Sequence, residues 1–220
     1  TIVSAIKAEA NKGKKVIVLI DDAYFGLVYE KNVYTESIFA RLADLSENVL
    51  AVKLDGPTKE DYVWGFRVGF ITYGIKGGTA TLYEALENKT AGAVRGNISN
   101  ISQLSQSLLY KVYSSPNYAA SKKQKFNILK ERYDILKTEL TKPVYTEFFE
   151  PLPFNSGYFM CVSLKKGLVA EEVRQVLLEK YSTGVIVLEP VIRLAFSATP
   201  TNKIPQLVEN IYKACKDLAK

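Results

Sequence analysis

The sequence predicts an α/β fold, a mostly parallel sheet with helices followed by a small α+β unit, and three observations predict it. Apolar runs of strand length occupy residues 15–20, 48–54 and 68–73. The first two are continuous rather than alternating, the pattern of strands buried on both faces of a parallel sheet. Segments of helical spacing lie around and after them, and beyond Pro143 short strands and helices interleave in a different texture. That change of texture suits a separate α+β unit.

Each element has a local reason. Residues 1–6 read as the opening of an amphipathic helix, and the strand at 15–20 carries Asp21 at its carboxyl end. Residues 37–45 are helix-compatible, and the strand at 48–54 leads into Gly56-Pro57-Thr58-Lys59. Gly77-Gly78 then breaks the pattern, and helices are predicted at 82–93 and 102–113 about a polar joint at 95–100. After Pro116, Phe126, Leu129, Tyr133, Leu136 and Leu140 recur in steps of three and four and define one helix with a solvated lysine-rich face. The later segment predicts strands at 158–164, 184–188 and 191–196 and helices at 170–181 and 203–218. In the last helix Ile204, Leu207, Ile211, Ala214 and Leu218 mark the core face.

Composition narrows the function classes. A chain of 220 residues with 47% hydrophobic and 24% charged residues has the balance of a globular protein rather than a disordered one. No apolar run approaches the roughly 20 residues of a membrane-spanning helix, and the N-terminal residues lack the pattern of a signal peptide, so a cytoplasmic protein with no membrane partner is expected. Cys161 and Cys215 lie far apart in apolar stretches, which suits buried reduced thiols, and the absence of histidine disfavours zinc. The net charge of +6 is concentrated on the lysine-rich helix face, a footprint that names no nucleic acid without a reading motif. The chain begins at Thr1 rather than at a methionine, and a part of a longer protein is expected.

The chemistry gathers in the first half. Asp21-Asp22-Ala23-Tyr24 stands after the first strand, Thr58-Lys59 after the second, and Arg67 eight residues beyond Lys59 within Trp64-Gly65-Phe66-Arg67-Val68-Gly69-Phe70. Taken singly, each has an ordinary reading: Lys59 a solvated surface charge, Asp21 a turn or cap residue, Tyr24 a core aromatic, Arg67 a surface guanidinium beside Trp64. Together they supply what a pyridoxal phosphate site requires: an amine to hold the aldehyde as a Schiff base, an anion for the pyridine nitrogen, a phenol for the ring oxygen and a cation for the phosphate. Ligands of open α/β sheets bind outside the carboxyl ends of the strands, where Asp21 and the Lys59 turn are placed. Arg193 is the one charge in Val191-Ile192-Arg193-Leu194-Ala195-Phe196, on the face of Val191 and Ala195. A charge inside a strand needs either an internal carboxylate or a ligand.

Asp21-x-Ala23-Tyr24, Lys59 and the Gly-x-Arg-x-Gly setting of Arg67 resemble the class I/II, fold-type I pyridoxal phosphate aminotransferases over essentially the whole chain. The resemblance implies the later part of the large-domain sheet in residues 1–142 and the small C-terminal domain in residues 143–220. It implies Lys59 as Schiff-base lysine and proton shuttle, Asp21 as partner of the pyridine nitrogen, Tyr24 on the ring oxygen and Arg67 on the phosphate. Arg193 matches the arginine that clamps the substrate α-carboxylate, which decides between its two readings. Arg95, within Val94-Arg95-Gly96-Asn97, is similar to an arginine placed near a substrate side-chain carboxylate across the dimer, with a surface helix-joint arginine as the competing reading.

Departures accompany the matches. The family commonly has a serine three residues before the lysine, where this chain has Gly56, and Thr58 is the alternative hydroxyl for the phosphate. The family's glycine-rich phosphate loop, the residue stacking on the pyridine ring and an asparagine beside the ring oxygen have no counterpart in these 220 residues. The expectation is therefore an N-terminally truncated aminotransferase, inactive alone, whose whole protein is a homodimer acting on an amino acid and a 2-oxo acid. Another fold-type I enzyme, a lyase or decarboxylase, and a noncatalytic ligand-sensing domain are the alternatives.

Overall fold

A computed structural model describes residues Thr1–Ala219. The chain forms two compact units, one of Thr1–Leu27 with Tyr34–Ala119, the other of Val28–Val33 with the chain from Ala120 onward. This division by packing falls within the lysine-rich helix, which the sequence reading places entirely before its boundary at residue 142.

In the first unit, helix α1 (Ile2–Asn11) is capped by the Thr1 hydroxyl, which accepts from Ser4 N, and leads to strand β1 (Val16–Asp21). Helix α2 (Phe39–Leu42) and strand β2 (Val49–Asp55) follow. The one-turn helix α3 (Pro57–Glu60) carries Lys59, and a 3₁₀ turn at Trp64–Phe66 precedes strand β3 (Phe70–Gly74). Helices α4 (Ala80–Asn97) and α5 (Gln103–Tyr113) complete the unit, and α6 (Tyr118–Leu140) begins at its end. The expected joint at 95–100 is shorter than the sequence suggests, because α4 runs on through Arg95 to Asn97.

The sheet order is β1-β2-β3. β1 and β2 are parallel, as expected, whereas β3 is antiparallel to β2. The connection between β2 and β3 contains only single helical turns and no full crossover helix of the kind that usually links parallel strands. Ile20, Leu42 and Ala51 form a core on one face of the sheet, with Val3, Ile6, Val18, Ile38, Phe39 and Leu45 packed against it.

The other face corrects the expectation that β1 is buried on both sides. Ile17 and Leu19 are 67% and 69% exposed. β1 lies at the edge of the sheet with one strand neighbour, and α1 and α2 supply the hydrophobic residues that cover only the opposite face. Across that sheet, α4 reaches the β3 side, where the Tyr73 and Thr90 hydroxyls lie 2.5 Å apart. An exposed apolar edge strand of this kind is a template for association.

The second unit is built on strands β4 (Phe149–Pro151), β5 (Met160–Leu164), β6 (Ile186–Leu188) and β7 (Val191–Leu194), all antiparallel, in the order β4-β5-β7-β6. Helices α7 (Ala170–Tyr181) and α8 (Ile204–Leu218) pack on one another. Val162, Val173, Leu177, Ile192, Phe196, Ile204, Val208 and Ile211 are wholly buried. The predicted face of the lysine-rich helix is the buried one, with Leu129, Tyr133, Leu136 and Leu140 inside. Val28–Val33 is strapped to this unit: Tyr29 N donates to Asn155 O at 2.9 Å and Tyr29 Oη to Gly157 O at 2.7 Å. Glu30 accepts from Tyr133 Oη at 2.5 Å and pairs with Lys137.

Burial pushes the Cys215 thiol up to about 12. The folded state therefore holds this proton more tightly than the unfolded chain, whose thiol ionises near about 8.5. Its contribution to stability is complete below about 8.5 and is lost as pH rises towards 12, by about 1.4 kcal/mol per pH unit within that window. Urea unfolding between pH 8 and pH 10 is expected to show this alkaline loss, and Cys215→Ala to flatten it. An equal slope in both proteins would assign the loss to other groups.

Candidate active site

The strand register sets the floor of the site. Asp21, Leu54 and Ile71 are aligned across β1, β2 and β3 and so share one face of the sheet. Above this row at the carboxyl ends of β1 and β2 lies a cleft of about 550 Å³. The lysine turn, through Gly56, Thr58 and Lys59, and the segment Arg67–Phe70 line it on one side, and Thr90 and Val94 of α4 with Ile101 on another. Asp21, Thr58, Lys59 and Arg67 are thus brought into one cleft.

Asp21 is exposed, and its Oδ1 accepts from Ala23 N at 3.1 Å, which turns the chain sharply after the strand. The Lys59 ammonium lies 5.0 Å from the centroid of the Tyr24 ring, so the predicted phenol and amine are neighbours. Arg67 adopts a left-handed backbone at φ 55°, a conformation uncommon outside glycine and found at sites where surrounding structure imposes it. Its Nη1 donates to Trp64 O at 3.3 Å, which occupies one of five guanidinium hydrogens and leaves the side chain exposed at the cleft.

Gly56 is explained by close packing. A Cβ there would lie 2.9 Å from Gly69 Cα and 3.0 Å from Val68 O, both backbone atoms. The serine common at this position in the resembling family has no room here. Thr58, the alternative hydroxyl, donates its hydrogen to Val68 O at 3.2 Å, and its oxygen remains as an acceptor. Thr58 therefore ties the lysine turn to the segment just before β3.

Arg95 is exposed near the end of α4 with Nη1 donating to Ser99 Oγ at 2.9 Å, and it does not line the cleft. Arg193 belongs to the second unit and, within it, lines a cleft of about 370 Å³ with Gly184, Ile186, Ala195, Thr199 and Leu207. The predicted alternation holds: Ile192, Leu194 and Phe196 are buried, while Val191, Arg193 and Ala195 lie half-buried on the other face. The guanidinium carbon sits 4.5 Å from the Phe159 ring centroid, and Nε is buried with no hydrogen-bond partner among the described residues. An aromatic face offsets part of the desolvation of a cation but satisfies no donor. Arg193→Met is therefore expected to leave the unliganded chain as stable or up to about 2 kcal/mol more stable. A loss of more than about 1 kcal/mol in urea unfolding would make this arginine a structural residue instead.

The sequence reading missed the wall contributed by Thr90 and Val94. Their spacing of four on α4 places them on one helix face, a signal present in the sequence but shared by every amphipathic helix.

A parallel strand pair whose carboxyl ends hold a lysine turn, an aspartate and an arginine around one cleft is the arrangement in which open α/β sheets bind their ligands. The profile of the class I and II aminotransferases matches residues 7–211, and the chain belongs to that family. Solved structures share the fold. An aminotransferase from Anaerococcus prevotii superposes with a TM-score of 0.80 at 24% identity, over 96% of this chain and 50% of that one. The α-aminoadipate aminotransferase LysN from Thermus thermophilus, solved with N-(5'-phosphopyridoxyl)-L-leucine, gives 0.74 at 21% identity over 98% and 54%. An aromatic aminotransferase from Pyrococcus horikoshii gives 0.74 at 15% identity over 98% and 55%. The chain thus spans about half the length of these structures. No curated protein matches it in sequence.

Proposed function

We propose that the whole protein is a pyridoxal phosphate-dependent aminotransferase that moves an amino group between an amino acid and a 2-oxo acid, with residues 1–142 in its large domain and 143–220 its small domain. The observation that carries this reading is the convergence of Lys59, Asp21 and Arg67 on one cleft at the strand ends. The donor set fits the cofactor: an amine for its aldehyde, a carboxylate for its ring nitrogen and a guanidinium whose paired donors suit a phosphate.

When bound, the cofactor supplies an electron-withdrawing ring that stabilises charge on the substrate α-carbon. Lys59 would hold it through Nζ and, as a free amine, would take the substrate α-proton and return it as general base and acid. Asp21 would pair with the ring nitrogen, and a carboxylate there would favour the protonated ring. Tyr24 would donate to the ring oxygen, and Arg67 would engage the phosphate. Thr58 acts in this scheme by holding the lysine turn to Val68 rather than as a phosphate donor. Arg193 receives the substrate α-carboxylate, which supplies acceptors for the guanidinium whose Nε is buried without a partner among the described residues. Arg95 is the candidate for a side-chain carboxylate of a substrate. Family likeness supports a homodimer for the whole protein, and the lack of an apolar run of membrane-spanning length supports the cytoplasmic reading. Among the described residues no helix is long and apolar enough to cross a membrane.

Incubating the whole protein with pyridoxal phosphate, an amino acid and a 2-oxo acid is expected to yield the corresponding new oxo acid and amino acid pair. Release of an amine with carbon dioxide, or of an eliminated group, would assign a decarboxylase or lyase instead. No consumption of any amino acid despite cofactor binding would assign a noncatalytic domain.

A further inference from the structure

The turn that carries Lys59 is too short to hold itself in place. Helix α3 is four residues long, well below the length at which helix formation becomes favourable in isolation, so tertiary contacts must fix it. On the upstream side these contacts are the Gly56–Gly69 approach and the Thr58 bond to Val68 O. On the downstream side is a cluster that the cofactor chemistry does not use.

Asp61 caps α3, with its backbone N–H donating to Pro57 O at 3.0 Å. Its carboxylate accepts two phenols that arrive from far along the chain. Tyr118 Oη donates to Oδ1 at 2.6 Å and Tyr113 Oη to Oδ2 at 2.8 Å. One phenol comes from the last residue of α5 and the other from the first residue of α6. The two rings meet edge to face with centroids 5.3 Å apart, so the phenols are ordered by each other as well as by the carboxylate. Burial and the Asp61 carboxylate both push the Tyr113 phenol well above its ordinary range, which keeps it a donor. Hydrogen bonds to an ionised acceptor are roughly twice as strong as neutral ones, and two of them on one carboxylate define its position in two directions.

We propose that Asp61, Tyr113 and Tyr118 form a positioning clamp for Lys59, setting the orientation of the α3 turn and hence the direction of the lysine amine into the cleft. This rests on the reading of Lys59 as the cofactor lysine. The clamp acts through the backbone two residues from Lys59, where small displacements of the turn are carried directly to Nζ. An amine held near its reacting position gains over a mobile one because orientation has been fixed before the reaction.

The test uses the full chain and reads Lys59 with and without the cofactor. Its amine is labelled by reductive ¹³C-methylation, with the Lys59 resonance assigned by its absence in Lys59→Arg. In the double variant Tyr113→Phe/Tyr118→Phe, which keeps both rings and removes both donors, the Lys59 resonance is expected to shift by more than its linewidth while those of Lys7 and Lys180 stay in place. Asp61→Ala is expected to do the same. In parallel, the rate at which pyridoxal phosphate and borohydride modify Lys59, followed by mass spectrometry, is expected to fall at least threefold in these variants. Single tyrosine variants, each keeping the other phenol on Asp61, provide the reading if the double variant does not fold. An unchanged Lys59 resonance overturns the clamp even if the melting temperature drops, since that pattern means a merely structural contact. Failure of the unsubstituted chain to form any Lys59 adduct counts against the cofactor reading alone, because the resonance still decides the clamp.

Discussion

Lys59→Ala is expected to abolish the borohydride-stable pyridoxal phosphate adduct and to lower transamination by the whole protein by about 10²- to 10⁴-fold, the range for removing a proton-transfer group. The loss should appear in kcat rather than in KM for the amino acid, because substrate affinity rests mainly on other groups and Lys59 acts on the proton in the transition state. The Tyr24 ring 5.0 Å from Nζ and the cleft walls remain in the variant, so non-covalent cofactor binding should persist, detectable by equilibrium dialysis. Addition of a small primary amine should restore part of the rate by supplying the missing base. Turnover at the unsubstituted rate would remove Lys59 from the chemistry.

The second large effect is expected at Gly56. Gly56→Ser introduces a Cβ at 2.9 Å from Gly69 Cα and 3.0 Å from Val68 O, and neither is the end of a side chain that could swing aside. The lysine turn or the Arg67–Gly69 segment must shift. Overpacking of this kind destabilises by about 1–3 kcal/mol, which for a chain of this size lowers the melting temperature by roughly 2–4 °C per kcal/mol. The same shift strains the Thr58 bond to Val68 O and moves Arg67, so cofactor uptake should weaken in parallel. Gly69→Ala is the natural contrast, since a Cβ there meets only Asp55 O, at an ordinary 3.5 Å. Thermal unfolding followed by circular dichroism separates the two. A Gly56→Ser protein as stable as the unsubstituted chain would show that this approach relaxes freely.

Gly56 also illustrates how far the sequence reaches. The glycine reads there as a missing phosphate donor, whereas its packing makes it a contact point between two segments 13 residues apart. Strand and helix positions were legible because they follow from local periodicity. The buried face of α6 and the alternation around Arg193 are where the spacing places them. The antiparallel direction of β3 was not legible, because it depends on which elements neighbour the strand. A continuous apolar run records that a strand is apolar on both sides, not that both sides are covered.

The sequence by itself determined the kinds of chemical group at the site and their order, since a lysine, an aspartate, a tyrosine and an arginine at strand ends carry a recognisable chemistry wherever they are placed. Only the tertiary structure decided which of them share a cleft. Asp21, Thr58, Lys59 and Arg67 line one, Arg95 lies outside it, and the Thr58 hydroxyl is turned to Val68. The anchoring of the lysine turn by Tyr113 and Tyr118 was likewise invisible beforehand. Partners more than 50 residues apart leave no mark in local spacing, because a hydrogen bond is fixed by the three-dimensional approach of donor and acceptor rather than by their separation along the chain.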